Sequence, residues 1–401
     1  MAHFTLHIFL SSIESETRLY KEAAYTLSSG ICARVAVLGL WREGLPLHET
    51  TEYGLEVHRV PTMVRRWRNS TLMGRFRPLR QVVALLSLIQ YSLACIAAAK
   101  RLRPDHISCH NAAVLPFAWA ATLFSGAKLE YLPHELETQR TGLNGISKRI
   151  TAIIERWFIR SSSNIVVVCD PIRDWYRDTY GLTNVHVVRN VPEKDAVGVH
   201  PIPEGGFRER FNIPDEAKVF IYQGLFSAGR GIEILIKTFS QLAPERCQLV
   251  LMGYGDEPYQ EMINEAARQY TNIHCQPAVA REWIVSYSAG ADVGIFISER
   301  ASLSYRYALP NKFFEWAHAG LPILVSDNLE YQASLLQQAG FGWAARLEDL
   351  TSMVQQISET DLTPFAQNAR RYASTAIWED DAKAFAQIYR GRTARKDEQD
   401  D

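Results

Sequence analysis

Short β-rich runs alternate with stretches of helical length along almost the whole chain, and the pattern occurs twice. HFTLHIFL, ARVAVLGL, LEVHRV, HISCHN and NIVVVC form the first series, and KVFIYQG, CQLVLMG, NIHCQ, VGIFIS and PILVSD form a second that begins near residue 218. Such alternation predicts βαβ units on mostly parallel sheets, an α/β chain. Its 401 residues exceed what one hydrophobic core usually holds, so two doubly wound domains are expected. Residues 187–206, VVRNVPEKDAVGVHPIPEGG, contain three prolines and three glycines and read as the linker between them. The expected boundaries are 1–195 and 196–365, then a helix over 366–390 that crosses back to the first domain, then a charged tail, 391–401. Two such domains facing each other leave a cleft lined by the C-terminal ends of their strands, so the βα loops should carry the chemistry.

Charge narrows the partners. Lys and Arg (43) balance Asp and Glu (44), which gives no global case for nucleic acid. The six cysteines form no Cys-x-x-Cys pair, so neither a disulfide scaffold nor a zinc site is suggested and a reducing cytoplasm fits. HFTLHIFL reads as a first strand rather than a signal peptide.

Four stretches are candidates for chemistry. In IYQGLFSAGRGIEILIKTF a strand ends at Gly224, a turn carries Gly229, Arg230 and Gly231, and a helix starts near Ile232. Arg230 then stands beside free helical N–H groups, a combination suited to a phosphate, although an exposed arginine in a glycine turn reads the same way. LVLMGYGDEPYQEM repeats the strand, turn and helix, which makes Gly253 a further donor-binding candidate, although tight turning alone also explains a Gly-x-Gly. In ALPNKFFEWAHAGLPILVSDN, Pro310 is expected at the first helical position, which puts Asn311 and Lys312 in the first turn and Glu315 one turn further on. Lys312 and the first-turn N–H groups suit a diphosphate, and Glu315 suits vicinal ribose hydroxyls. A solvated surface lysine is the plain alternative for Lys312. Glu315 sits among Phe313, Phe314, Trp316 and Ala317, where a carboxylate needs a partner. In the first half, YLPHELET places His134 and Glu135 just past an apolar strand, with His110 in HISCHN as a competing histidine.

One stretch raises a membrane question. Arg65, Arg66, Arg68, Arg75, Arg77 and Arg80 precede an uncharged run, Gln81–Ala99, whose nineteen residues match a bilayer in length. The run contains Gln81, Ser87, Gln90, Tyr91 and Ser92 and falls where the first domain needs a helix, so it reads as a buried helix. The arginines read either as a solvated loop or as a peripheral contact with anionic lipid.

QGLFSAGRGIEILI, LVLMGYGDE, SAGADVGIFIS and ALPNKFFEWAHAGLPILVSDN, in this order, resemble the donor-binding domain of the retaining GT-B glycosyltransferases of family 4. RLRPDHISCHN, YLPHELET and NIVVVCDPIRDWYRDTYG are similar to successive elements of that family's acceptor domain, and IWEDDAKAFAQIY to its closing helix. The resemblance implies two facing Rossmann-like domains, Arg230 on the donor diphosphate, Glu315 on the nucleotide ribose, and His134 beside the transferred sugar. It implies transfer from a nucleotide-sugar to a glycan or lipid-linked acceptor in bacterial-type envelope polysaccharide biosynthesis, on the inner face of the cytoplasmic membrane. No Asp-x-Asp motif occurs, so metal-independent chemistry without a cofactor is expected. Three departures suggest a subfamily with a Pro-Asn-Lys signature. Leu225 replaces the family's usual arginine, for which Lys312 or Arg306 would substitute. Tyr307 replaces the first of two glutamates, and SSIESETR replaces a Gly-Gly loop. A non-catalytic GT-B-like subunit and a sugar-nucleotide epimerase share the architecture.

Overall fold

A computed structural model describes residues 2–14, 16–62, 77–140, 143, 145–198, 200–202, 206–299 and 302–390 of the chain. It divides into two compact units, Met1–Arg189 with Ala382–Asp401, and Asn190–Asp381.

The first unit is built on β1 (His3–Ile8), β2 (Cys32–Leu40), β3 (His48–Thr50), β4 (Glu56–Val60), β5 (His106–Cys109), β6 (Lys128–Tyr131), β7 (Asn164–Val167) and β8 (Val185–Val187). They form one sheet in the order β3-β4-β2-β1-β5-β6-β7-β8, in which the β3–β4 pair is antiparallel and the other pairs are parallel. Strands covered on both faces read as unbroken apolar runs, which is why these were visible in the sequence. The order runs outward from β1 to β4 and then returns to β5. A crevice for ligands therefore opens between β1 and β5 at the strands' C-terminal ends.

The helix Arg77–Leu102 makes that return. Val83, Ser87, Tyr91, Cys95 and Ala99, four residues apart, are its buried stripe, and the Tyr91 hydroxyl bonds the Phe9 and Leu38 carbonyls at 2.8 and 2.7 Å. Val82, Leu85, Leu86, Ile89 and Leu93 are 40–62% exposed. The run expected to be a buried helix is therefore buried along one stripe only. Val82–Leu102 is long and apolar enough to cross a membrane by length and composition, with a third of it buried. Among the six arginines before it, Arg65, Arg66, Arg68 and Arg75 lie outside the described residues, and Arg77 and Arg80 belong to the helix's first turn.

The second unit is built on β9 (Lys218–Phe226), β10 (Cys247–Gly255), β11 (Ile273–Pro277), β12 (Val293–Phe296), β13 (Ile323–Ser326) and β14 (Gly342–Ala345). All are parallel, in the order β11-β10-β9-β12-β13-β14, so the switch point lies between β9 and β12. Both sheets are doubly wound, in agreement with the α/β expectation.

The helix expected over 366–390 is instead three: Thr363–Ala373, Trp378–Asp381 and Ala384–Arg390. The first stops where Ser374 and Thr375 turn their hydroxyls onto the carbonyls of Arg371 and Tyr372, each at 2.8 Å. Side chains that bond the preceding turn in this way compete with helix continuation. The last helix belongs to the first unit, where the buried Tyr389 hydroxyl meets Glu22 Oε1 at 2.6 Å.

Candidate functional site

In the second unit the exits of β9 and β12 are brought together by glycine. Gly231 caps the helix Ile232–Phe239 at φ 73°, and a Cβ there would sit 2.6 Å from the Ile297 carbonyl oxygen just past β12. Any larger residue would push the two loops apart. The preceding turn, closed by Arg230 N–H on the Ser227 carbonyl at 3.3 Å and including Gly229 at φ 78°, leaves Arg230 half-buried, its guanidinium carbon 6.0 Å from the centre of the Tyr305 ring. Gly253 serves a different end. A Cβ there would lie 1.9 Å from the carbonyl oxygen of Gly224, its partner on β9, so strand contact alone requires it.

Lys312 is the unusual group of this unit. It stands in the first turn of the helix Asn311–His318, is buried, and its Nζ lies 4.2 Å from the Tyr222 ring centre and 4.1 Å from that of Phe296. Nζ also sits beside Gly224 at the end of β9 and has no hydrogen-bond partner. Aromatic faces attract a cation, but they do not replace the three hydrogen bonds an ammonium makes in water. Burial, reinforced by the neighbouring Arg230 guanidinium and opposed by Glu315, lowers its pKa to about 7. A lysine is kept there at a cost in stability, in a place where an arriving anion would satisfy it.

Glu315 follows one turn later and accepts a short hydrogen bond from Gln223 Nε2, while Gln223 Oε1 accepts from Ser288 Oγ at 2.7 Å. That chain fixes the amide orientation and gives the carboxylate the partner its apolar neighbours demand. Pro310 corrects an expectation. At φ −75° and ψ 156° it is the N-cap rather than the first helical residue, which puts Asn311 first and turns Lys312 inward against β9. Arg306 departs as well. Its guanidinium is paired with Glu330 on an exposed face, whereas Lys312 stands at the end of β9, next to the strand that carries Leu225.

In the first unit His134, beyond β6, is the end of a row of imidazoles that meets at the switch point. His134 Nε2 lies 3.0 Å from His110 Nδ1, and His110 Nε2 lies 2.9 Å from His7 Nδ1. Burial pushes the pKa of His7 and of His134 down to about 3 and that of His110 well below its usual range. Three neutral rings in series share two hydrogen bonds, so their N–H groups must all point the same way and the tautomer of His134 is coupled to that of His7. His7 Nε2 is 4.0 Å from Glu22, whose pKa burial raises to about 7.

Gln223, Ser288, Tyr222 and Phe296 were not singled out from sequence. Only Gln223 left a signal, a polar residue inside the apolar strand VFIYQG. The aromatics read as ordinary core. Among the described residues no group of three or more His, Cys, Asp or Glu side chains is gathered as metal ligands would be.

Residues 16–191 match the family model described as Glycosyl transferase 4-like domain, and residues 217–360 match Glycosyl transferases group 1. A glycogen synthase of Alkaliphilus metalliredigens is 24% identical over 206 residues, 46% of this chain and 41% of that protein. A lipopolysaccharide 1,2-N-acetylglucosaminetransferase of Salmonella typhimurium is 32% identical over 71 residues, 18% of each. The chain thus spans less than half the length of these curated relatives. Among solved structures, the sucrose-phosphate synthase of Thermosynechococcus elongatus superposes with a TM-score of 0.71 at 15% identity, covering 97% of this chain and 98% of that one. Anabaena Alr3699/HepE, solved in complex with UDP and glucose, gives 0.70 at 15% identity, covering 97% and 100%.

Proposed function

Because the chain belongs to the group 1 family of GT-B glycosyltransferases, we propose that it moves a sugar from a nucleotide-sugar donor to a glycan or lipid-linked acceptor. We place the reaction in bacterial-type envelope polysaccharide biosynthesis, with retention of anomeric configuration. The observation that supports this reading best is the buried Lys312 ammonium, unpaired and beside Arg230 at the switch point of the second sheet. Departure of a nucleoside diphosphate places negative charge on the phosphates while the sugar becomes oxocarbenium-like. Fixed cations at the phosphates are then the main catalytic device. Arg230 and Lys312 supply that charge without a metal ion, the N-terminus of Ile232–Phe239 adds N–H donors, and Asn311 lies in the same turn as Lys312. Glu315, oriented by Gln223, accepts from ribose hydroxyls. His134 hydrogen-bonds the sugar in transit, its tautomer set by His110 and His7. The protein works at the cytoplasmic face of the membrane, with the arginines between 65 and 80 as a peripheral anionic-lipid contact.

The variants divide the roles. Arg230→Ala removes a charge-assisted phosphate contact and should weaken donor binding roughly ten- to hundredfold. Glu315→Ala should weaken it about tenfold, a loss seen in nucleotide rather than phosphate binding. His134→Ala should lower turnover more than donor affinity. Unchanged activity in all three would refute the assignment, and a product that stays nucleotide-linked would point to an epimerase instead.

Lys312 also sets a pH dependence. With a pKa near 7 in the free protein, raised once a diphosphate is bound, it takes up a proton on binding. Calorimetric titration should show diphosphate affinity falling about tenfold for each pH unit above 7, and Lys312→Met should abolish that slope.

A further inference from the structure

We infer that the outer face of the helices Arg77–Leu102, Leu115–Ser125 and Gly145–Phe158 docks on an anionic lipid bilayer, with Gly145–Phe158 lying in the interface. Of the fifteen large apolar residues exposed among the described ones, eleven stand on these three helices. Leu115–Ser125 packs against each of the other two helices and against β5 and β6. On Gly145–Phe158 the exposed large apolar residues are Ile146, Ile150, Ile153 and Trp157, 52–75% exposed and spaced i, i+4, i+7, i+11, which is a single stripe of an α-helix.

The stripe points away from the fold. The buried residue of the same helix is Glu155, held from the opposite side by the hydroxyls of Tyr131, Tyr176 and Tyr180, each at 2.8 Å. A surface helix normally turns its apolar side inward and its charge outward. This one turns its acid inward and its apolar stripe outward, which leaves the stripe without a protein partner among the described residues of the unit.

Charge selects the occupant. The three helices carry seven Lys and Arg against one acid, the buried Glu155. Arg149 and Arg156 are exposed along one flank of the stripe. An apolar stripe rimmed by cations is the pattern of an interfacial helix on anionic lipid, each surface-proximal cation adding to the attraction. A second copy of the chain would bring the same cationic rims together and be repelled.

This deepens the peripheral contact proposed for the arginine segment, since it moves the apolar part of the contact onto folded helices. The two are separable by assaying the full chain in co-sedimentation with phosphatidylcholine vesicles, with and without about 30 mol% phosphatidylglycerol. The wild type should pellet with the anionic vesicles and less so at high salt. An Ile146→Ser, Ile150→Ser, Trp157→Ser variant should partition at least tenfold more weakly while its nucleotide binding stays unchanged. Retention of full vesicle binding by that variant would overturn the proposal. So would loss of binding only when Arg65, Arg66 and Arg68 are replaced, which would assign the contact to the arginine segment alone. A wild-type dimer in sedimentation velocity that the triple variant dissolves, without vesicle binding, would assign the face to a second copy and also overturn it.

Discussion

Replacing Lys312 by methionine is expected to slow sugar transfer roughly 10²–10³-fold and at the same time make the protein harder to unfold. The methionine keeps the apolar stem and its contacts with Tyr222 and Phe296, and it removes a buried ammonium that lacks a hydrogen-bond partner. Exchanging a buried charge for an apolar residue of similar size stabilises typical folds by about 1–4 kcal/mol. Loss of one preorganised donor to a developing oxyanion costs roughly 10²–10³ in kcat. Thermal melting and steady-state rates on one preparation would therefore move in opposite directions, which a lysine with a purely structural role would not produce. The linkage has a definite sign. The unfolded chain keeps the proton of Lys312 up to its ordinary pKa of 10.5, whereas the folded chain loses it near 7. Stability from this group rises with pH across that window, and Lys312→Met should remove the rise.

Glu155→Leu should be the most damaging substitution to the fold of the first unit, by about 3–5 kcal/mol. Its carboxylate is fully buried and accepts from three tyrosine hydroxyls, two on Oε1 and one on Oε2. Leucine strands all three O–H groups in the interior, each short of a partner it had. For a unit of this size that corresponds to a fall of roughly 10 °C in the melting of the first unit. Glu155→Gln keeps an acceptor oxygen and lets one hydroxyl turn and accept from the amide, so it should lose less than about 2 kcal/mol. Because the same residue pins the helix Gly145–Phe158, the leucine variant should also release that helix to early amide exchange.

What was legible in the sequence was whatever lies in one contiguous stretch. Parallel strands buried on both faces give continuous apolar runs, so both sheets could be read directly. Gly229, Arg230 and Gly231 share one turn, and Asn311, Lys312 and Glu315 share one helix, so each half of the second unit's site was visible locally. The reason Lys312 is buried was not. It depends on Tyr222 in the middle of β9 and Phe296 at the end of β12, which meet only because the strand order places those strands side by side. Gln223, next to Tyr222 on β9, orients Glu315, and Ser288 at the end of the helix Ile284–Ser288 holds Gln223. The histidine row is likewise assembled by β1, β5 and the loop after β6, so His134 looked solitary and His110 looked like its rival rather than its neighbour. Local propensity also misled at the C-terminus, where Ser374 and Thr375 break what reads as one helix.

The most direct test is a calorimetric titration of the full chain with nucleoside mono- and diphosphates of uridine, guanosine and adenosine at pH 6.5. If Arg230 and Lys312 form a diphosphate clamp, one diphosphate should bind at least tenfold more tightly than its monophosphate, and Arg230→Ala should erase that difference. Equal binding of mono- and diphosphates, or no binding of any diphosphate, would contradict the account.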